Sequence, residues 1–162
     1  MKQKTALLMQ LAIVIILICT VNPSAYSSPG DPYLRLNEIN HSAARDFIRR
    51  FPSITTDKWL KLDDGYMAKF TSKGIKTQVF YSNDGGFVLC TKYYTEQNMP
   101  AAIKKTLRQR FVGYSIIAVT EVIYQQQRFF RINIKNNHWM KTVKITSTTL
   151  EVLEILNNGE PR

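Results

Sequence analysis

Two stretches sixty residues apart carry the same pattern, and that repetition limits the fold more than any other feature of the sequence. Phe47-Ile48-Arg49-Arg50-Phe51 and Leu107-Arg108-Gln109-Arg110-Phe111 share a large apolar residue, two spacers, an Arg and a Phe. Further on the offset grows to sixty-four. Tyr66-Met67-Ala68-Lys69-Phe70 then lies over Phe130-Arg131-Ile132-Asn133-Ile134, and Thr77-Gln78-Val79-Phe80-Tyr81 over Lys141-Thr142-Val143-Lys144-Ile145. A drift of four residues is what a duplicated supersecondary unit shows when loops lengthen between copies.

Each copy reads as one helix followed by four strands. In the first, Asn40 or Ser42 can cap a helix whose Ala44, Phe47, Ile48 and Phe51 fall at i, i+3, i+4 and i+7, and Pro52 ends it. Strands are expected over 58–62, 66–71, 75–81 and 87–94, separated by turns at Asp63-Asp64-Gly65, Ser72-Lys73-Gly74 and Asn83-Asp84-Gly85-Gly86. In the second, Pro100 suits a first helical position, and Ile103, Leu107 and Phe111 form a stripe opposite Lys104, Lys105 and Arg108. Strands rich in β-branched and aromatic residues follow over 115–124, 128–135, 138–146 and 150–156. The expected fold is therefore α+β, two tandem modules over 38–95 and 96–157, each one helix packed on a four-stranded antiparallel meander.

The ends read differently. Lys2 and Lys4 precede an apolar run over 6–21, and Asn22-Pro23-Ser24-Ala25-Tyr26-Ser27-Ser28 adds a breaker and small residues, the three-part layout of a signal peptide over 1–27. A retained anchor and a lipoprotein signal on Cys19 are the rival readings, the second opposed by the bulk of Ile18. Export to the periplasm or medium is expected, with no span left after cleavage, a flexible lead-in over 28–37 and a polar tail over 158–162. Loss of the leader removes Cys19 and leaves Cys90 as the one thiol, so packing must stabilise the domain without a disulfide. It also removes Lys2 and Lys4, lowering the formal charge from +10 to +8. The remaining charge favours acidic partners such as envelope polymers, anionic lipid or an acidic protein.

Several motifs resemble a known family. Phe47-Ile48-Arg49-Arg50-Phe51-Pro52, then Lys58-Trp59, Asp64-Gly65-Tyr66 and Ala68-Lys69-Phe70, the turn Asn83-Asp84-Gly85-Gly86, and Met99-Pro100-Ala101-Ala102-Ile103-Lys104 are similar in order and spacing to β-lactamase-inhibitor-like, PepSY-like proteins. The likeness spans about 38–156. It implies an exported protein of two helix-plus-four-strand modules, of a family generally without assigned function. The family's names come from secreted inhibitors of β-lactamase and from a domain associated with restraint of peptidases. This chain departs from the pattern at Thr148-Thr149, where the first unit has its Asp-Gly turn, and at Val119, where it has Trp59.

No catalytic constellation is present in sequence. His41 and His138 have no second ligand at zinc spacing, and no nucleophile elbow or phosphate-cradling glycine loop occurs. Asp63 and Asp64 fit a turn better than an acid–base pair, and Cys90 fits a core better than a nucleophile lacking a base. No enzyme activity, cofactor or metal is expected. If Tyr66, Ala68 and Phe70 face the first helix, Met67 and Lys69 face away. If Phe130, Ile132 and Ile134 face the second, Arg131 and Asn133 face away. Met67, Lys69, Arg131 and Asn133 are therefore the candidate partner-binding residues, on a surface of Lys, Arg, Met and aromatic rings for a protein or peptide in the envelope. The alternative occupant is an acidic glycan or lipid. Nucleic acid is not expected, because the charge is scattered rather than gathered in a groove.

Overall fold

In the computed structural model, residues 33–55 and 57–157 are described. The 1–27 leader and the 158–162 tail lie outside them. Eight strands follow one another in a single antiparallel sheet: β1 (Lys58–Leu62), β2 (Gly65–Ser72), β3 (Ile75–Ser82), β4 (Phe87–Tyr94), β5 (Ser115–Tyr124), β6 (Gln127–Lys135), β7 (Trp139–Ile145) and β8 (Leu150–Asn157). Two helices interrupt the order, α1 (His41–Arg50) before β1 and α2 (Ala101–Arg110) between β4 and β5.

The expectation of two tandem helix-on-four-strand modules is thereby corrected. β4 does not end a first sheet; it pairs with β5 from Leu89↔Tyr124 to Tyr94↔Val119. Two separate meanders would each leave an edge of unpaired N–H and C=O groups at that point, and joining them satisfies both. Among the described residues the two α-helices and eight strands stand where expected, within about a residue or two at each end.

Direct cross-strand partners share a face, so register says where the helices lie. Ala43 and Phe47 of α1 pack with Trp59, Ala68, Phe70, Val79, Tyr81 and Cys90, while Leu107 of α2 packs with Val119, Phe130, Ile132, Ile134 and Val143. Cys90 is opposite Ile123 and Tyr94 opposite Val119 across the central pair, which puts both helices on one face. The first core is aromatic. Phe47 meets Trp59 edge-on at 5.1 Å and Phe70 at 5.6 Å, and Phe51 meets Phe70 at 5.0 Å. Such pairs contribute about 0.5–1.5 kcal/mol each beyond area burial. The stripe of α1 is rotated from the expected one: Ala43 is buried and Ile48 is 54% exposed.

α1 is fixed at both ends. The Asn40 side chain accepts from the Ser42 N–H (2.8 Å) and donates to the Asn83 carbonyl (3.1 Å), tying the helix start to the β3–β4 turn. In that turn Gly85 has φ +87°, and a Cβ there would stand 2.5 Å from Asn40 Oδ1, so only glycine fits. One turn before the helix end, Asp46 is held by Arg49 (2.5 Å), Arg50 (2.5 Å) and the Tyr81 hydroxyl (3.2 Å). Burial pushes this carboxyl up, but the two guanidinium groups outweigh it and hold it below the usual carboxylate value. A carboxyl depressed in the folded state contributes stability that is present above its unfolded pKa and lost as pH falls through the folded one. Arg49 and Arg50 are 75% and 40% exposed, so solvent screens both pairs and Asp46→Asn is expected to cost about 1 kcal/mol at neutral pH. In paired acid titrations of unfolding, the gap between wild type and variant should close below about pH 4.

The two cores meet at a charged seam. Glu121 on β5 is 1% exposed. It accepts from the Tyr94 hydroxyl and lies 2.5 Å from Arg128 Nε and 3.9 Å from Lys92 Nζ. The Arg128 contact is an ion pair without the alignment of a hydrogen bond. Burial and the neighbouring carboxylate push the Tyr94 phenol well above its ordinary value, which keeps it a donor.

Candidate binding face

The opposite face carries neither helix. Register sorts its side chains into rows that run across the sheet. One row is apolar: Leu60 stands opposite Met67, Met67 opposite Phe80, Phe80 opposite Leu89, and Leu89 opposite Tyr124. The next but one is polar and basic, from Lys76 through Tyr93, Thr120, Arg131 and Lys144 to Glu151. Between them Lys58, Lys69, Gln78, Thr91, Val122 and Phe129 make a mixed row.

All four candidate residues fall on this face, but they do not form one cluster. Met67 and Lys69 are on β2, and Arg131 and Asn133 are on β6, four strands away. At about 4.8 Å per strand that is roughly 19 Å along the sheet. Met67 is 9% exposed, packed against Phe80 and Leu89 with Leu60, Leu62 and Tyr124 around it. Neither α1 nor α2 covers these side chains; their cross-strand neighbours pack against them. Lys69, Arg131 and Asn133 are half-buried. Asn133 Oδ1 accepts from the Thr142 hydroxyl at 3.2 Å, and Thr142 also approaches Glu154 at 3.4 Å. Lys144 Nζ lies 5.1 Å from the Phe129 ring. The face is thus apolar toward the 63–64, 83–86 and 125–126 turns and cationic toward the other end.

Phe80, Leu89, Tyr124, Phe129 and Lys144 belong to this surface and are absent from the candidates read in sequence. The period-two alternation of β3 to β7 carries the signal that places them there. What sequence cannot supply is the join of β4 to β5, which makes one surface of the two.

Residues weighed for chemistry lie elsewhere. Cys90 is buried on the helix side, and burial pushes its thiol up to about 11, away from the reactive thiolate. His41 opens α1, with Nδ1 2.9 Å from Arg45, whereas His138 sits in the β6–β7 turn beside Asn136. Trp59 is a core residue, while Trp139 is 42% exposed. Among the described residues no cluster of three His, Cys, Asp or Glu is placed to hold a metal, and no helix is long and apolar enough to cross a membrane. A cleft of about 200 Å³ lies on the helix side against Leu107, Phe111, Tyr114 and Ile134, with the Glu96–Arg108 ion pair (2.6 Å) beside it. It is smaller than the sites that enclose drug-sized ligands, about 300 Å³ and upward.

No protein-family profile and no curated protein matches the chain. Solved structures do. A BLIP-like protein from Bacteroides fragilis superposes with TM-score 0.57 at 12% identity, covering 86% of this chain and 93% of its own. A DUF2874 family protein from Bacteroides ovatus gives TM-score 0.56 at 16% identity, covering 72% and 86%. A candidate periplasmic protein from Bacteroides eggerthii gives 0.54 at 21%, covering 72% and 87%. Identities this low show the fold alone: this chain has a BLIP-like fold. They say nothing about the PepSY-like part of the resemblance.

Proposed function

We propose that this protein is an exported, non-enzymatic binding or inhibitory module whose helix-free sheet face and hairpin loops engage a protein or peptide partner. The observation that carries this reading is the continuous eight-stranded face, with an apolar row from Leu60 to Tyr124 and, beyond one mixed row, a basic row through Arg131 and Lys144. The packed apolar row gives a rigid floor, since Met67, Phe80 and Leu89 are buried, and the basic row steers a partner of opposite charge. The similarity to BLIP-like and candidate periplasmic proteins supports the reading and its compartment. Lys69 and Arg131 supply the charge, Met67 a packed floor, and Asn133 a polar contact to backbone or side chain.

The test is affinity capture from the organism's envelope extract at low and high salt, run with wild type, with Lys69→Glu/Arg131→Glu, and with Lys105→Glu on the exposed side of α2 as control. A protein retained by wild type at high salt and by the control, and reduced at least about tenfold by the double reversal, is the expected result. Capture of acidic glycan or lipid alone, lost as salt rises, would transfer the role to a polymer. Equal capture by all three proteins would remove this face from the interaction.

A further inference from the structure

The two edges of the sheet are unlike. β1 is protected. The Leu34 N–H donates to the Trp59 carbonyl at 2.8 Å, Lys58 Nζ stands 4.6 Å from the Tyr33 ring, and Lys58 and Lys61 place two charges on the strand. Short edge strands, lysines and covering loops are the usual means of keeping other chains off. Among the described residues, β8 has none of them. It is the last strand in the order, eight residues long, and contains no Pro, Lys or Arg.

β8 is also where the apolar surface gathers. Val152, Leu153, Ile155 and Leu156 are 42–55% exposed. With Trp139 on β7 they make five of the ten exposed large hydrophobic side chains among the described residues. A scatter of single exposed residues is ordinary, but concentration on one open strand is not. The register shift between Thr142 and Val143 adds one residue to β8 there and keeps Val152 and Ile155 on the helix side, opposite Val143 and Lys141.

Charge selects the occupant. The charged residues of β8 are Glu151 and Glu154, opposite Lys144 and Thr142 on the helix-free face. A second copy pairing β8 to β8 antiparallel would bring four carboxylates onto one face within a few residues, a repulsive arrangement. The β1 strand of a second copy has complementary lysines, but its edge is already bonded to Leu34. We infer that β8 is a docking edge for an extended segment of a partner protein that carries Lys or Arg on one face and aliphatic residues on the other, added as a ninth antiparallel strand. Its ladder bonds supply affinity, Glu151 and Glu154 read its cations, and Val152 and Ile155 meet its apolar side. This edge is distinct from the sheet face, and the inference does not depend on what that face binds.

The test uses the protein and a fluorescent eight-residue peptide alternating Lys and Val. Saturable binding by anisotropy is expected, together with slowed amide exchange confined to 150–157. Glu151→Gln/Glu154→Gln should weaken it about five- to tenfold. Glu151→Gln alone should give a smaller loss, and the Gln pair should favour self-association by removing the repulsion. A peptide of the same charge with alternate backbone amides N-methylated should not bind, and neither should one alternating Glu and Val. Absence of binding, indifference to the Gln pair or to N-methylation, slowed exchange elsewhere, or a wild-type dimer with 150–157 already protected would each overturn the inference.

Discussion

Trp59→Ala is expected to lower the unfolding free energy by about 4 kcal/mol. The indole is 2% exposed, contacts Phe47 at 5.1 Å and Tyr81 at 5.8 Å, and donates from Nε1 to Asp57. Its removal takes away the surface that α1 packs against, and the flanking rings of Phe47 and Tyr81 sit on a helix and on β3, which cannot both move inward. Domains are stable by only about 5–15 kcal/mol, so the variant should unfold at a much lower urea concentration. Circular dichroism is the suitable readout, because the substitution removes one of the two tryptophans. Ile48→Ala, on the exposed side of α1, is the matched control and should change stability by less than about 0.5 kcal/mol. Equal losses for the two would mean that α1 packs on its other side.

Removing one charge at the seam should be nearly as damaging, and removing two should repair it. Arg128→Met keeps the aliphatic stem but strips the guanidinium 2.5 Å from Glu121, leaving a buried carboxylate with the Tyr94 hydroxyl and Lys92 at 3.9 Å. A buried carboxylate that loses its nearest cation and keeps only these partners is expected to cost about 3 kcal/mol. Glu121→Leu/Arg128→Met removes the charge along with its partner and places an aliphatic side chain between the two cores, so most of the loss should return. A double-mutant cycle by urea denaturation measures this coupling directly. Additive losses would show that the seam is held by packing and that its charges are independent.

The seam also shows where sequence reading stops. Glu121 has no distinguishing context in Val119-Thr120-Glu121-Val122; on alternation alone it is one more polar residue in a strand. Its burial follows from pairing with Lys92 and Phe130 on either side, contacts made across β4 and β6. Met67 illustrates the same limit. Its side of β2 is legible from alternation with Ala68 and Phe70, yet its burial depends on Phe80 one strand over and Leu89 two strands over. Lys69, Arg131 and Asn133 are assigned to the right side of the sheet by the same alternation, while the roughly 19 Å between the pairs required the strand order. The exposed position of Ile48 turns on about a third of a helical turn, less than a four-residue stripe can define.

What the sequence by itself determined is local. Turn chemistry at Asp63-Asp64-Gly65 and Asn83-Asp84-Gly85-Gly86, period-two alternation in the strands and the stripes of Phe47 and Leu107 place the elements and assign their faces, because these depend on residues a few positions apart. The tertiary structure decided how those elements join. The link of β4 to β5 across α2, the burial of Glu121, the protection of β1 by Leu34 and the open edge of β8 are made by backbone groups and neighbours distant in the chain. Backbone N–H and C=O groups are the same in every residue, so nothing in the side-chain pattern of a strand names the strand that will pair with it.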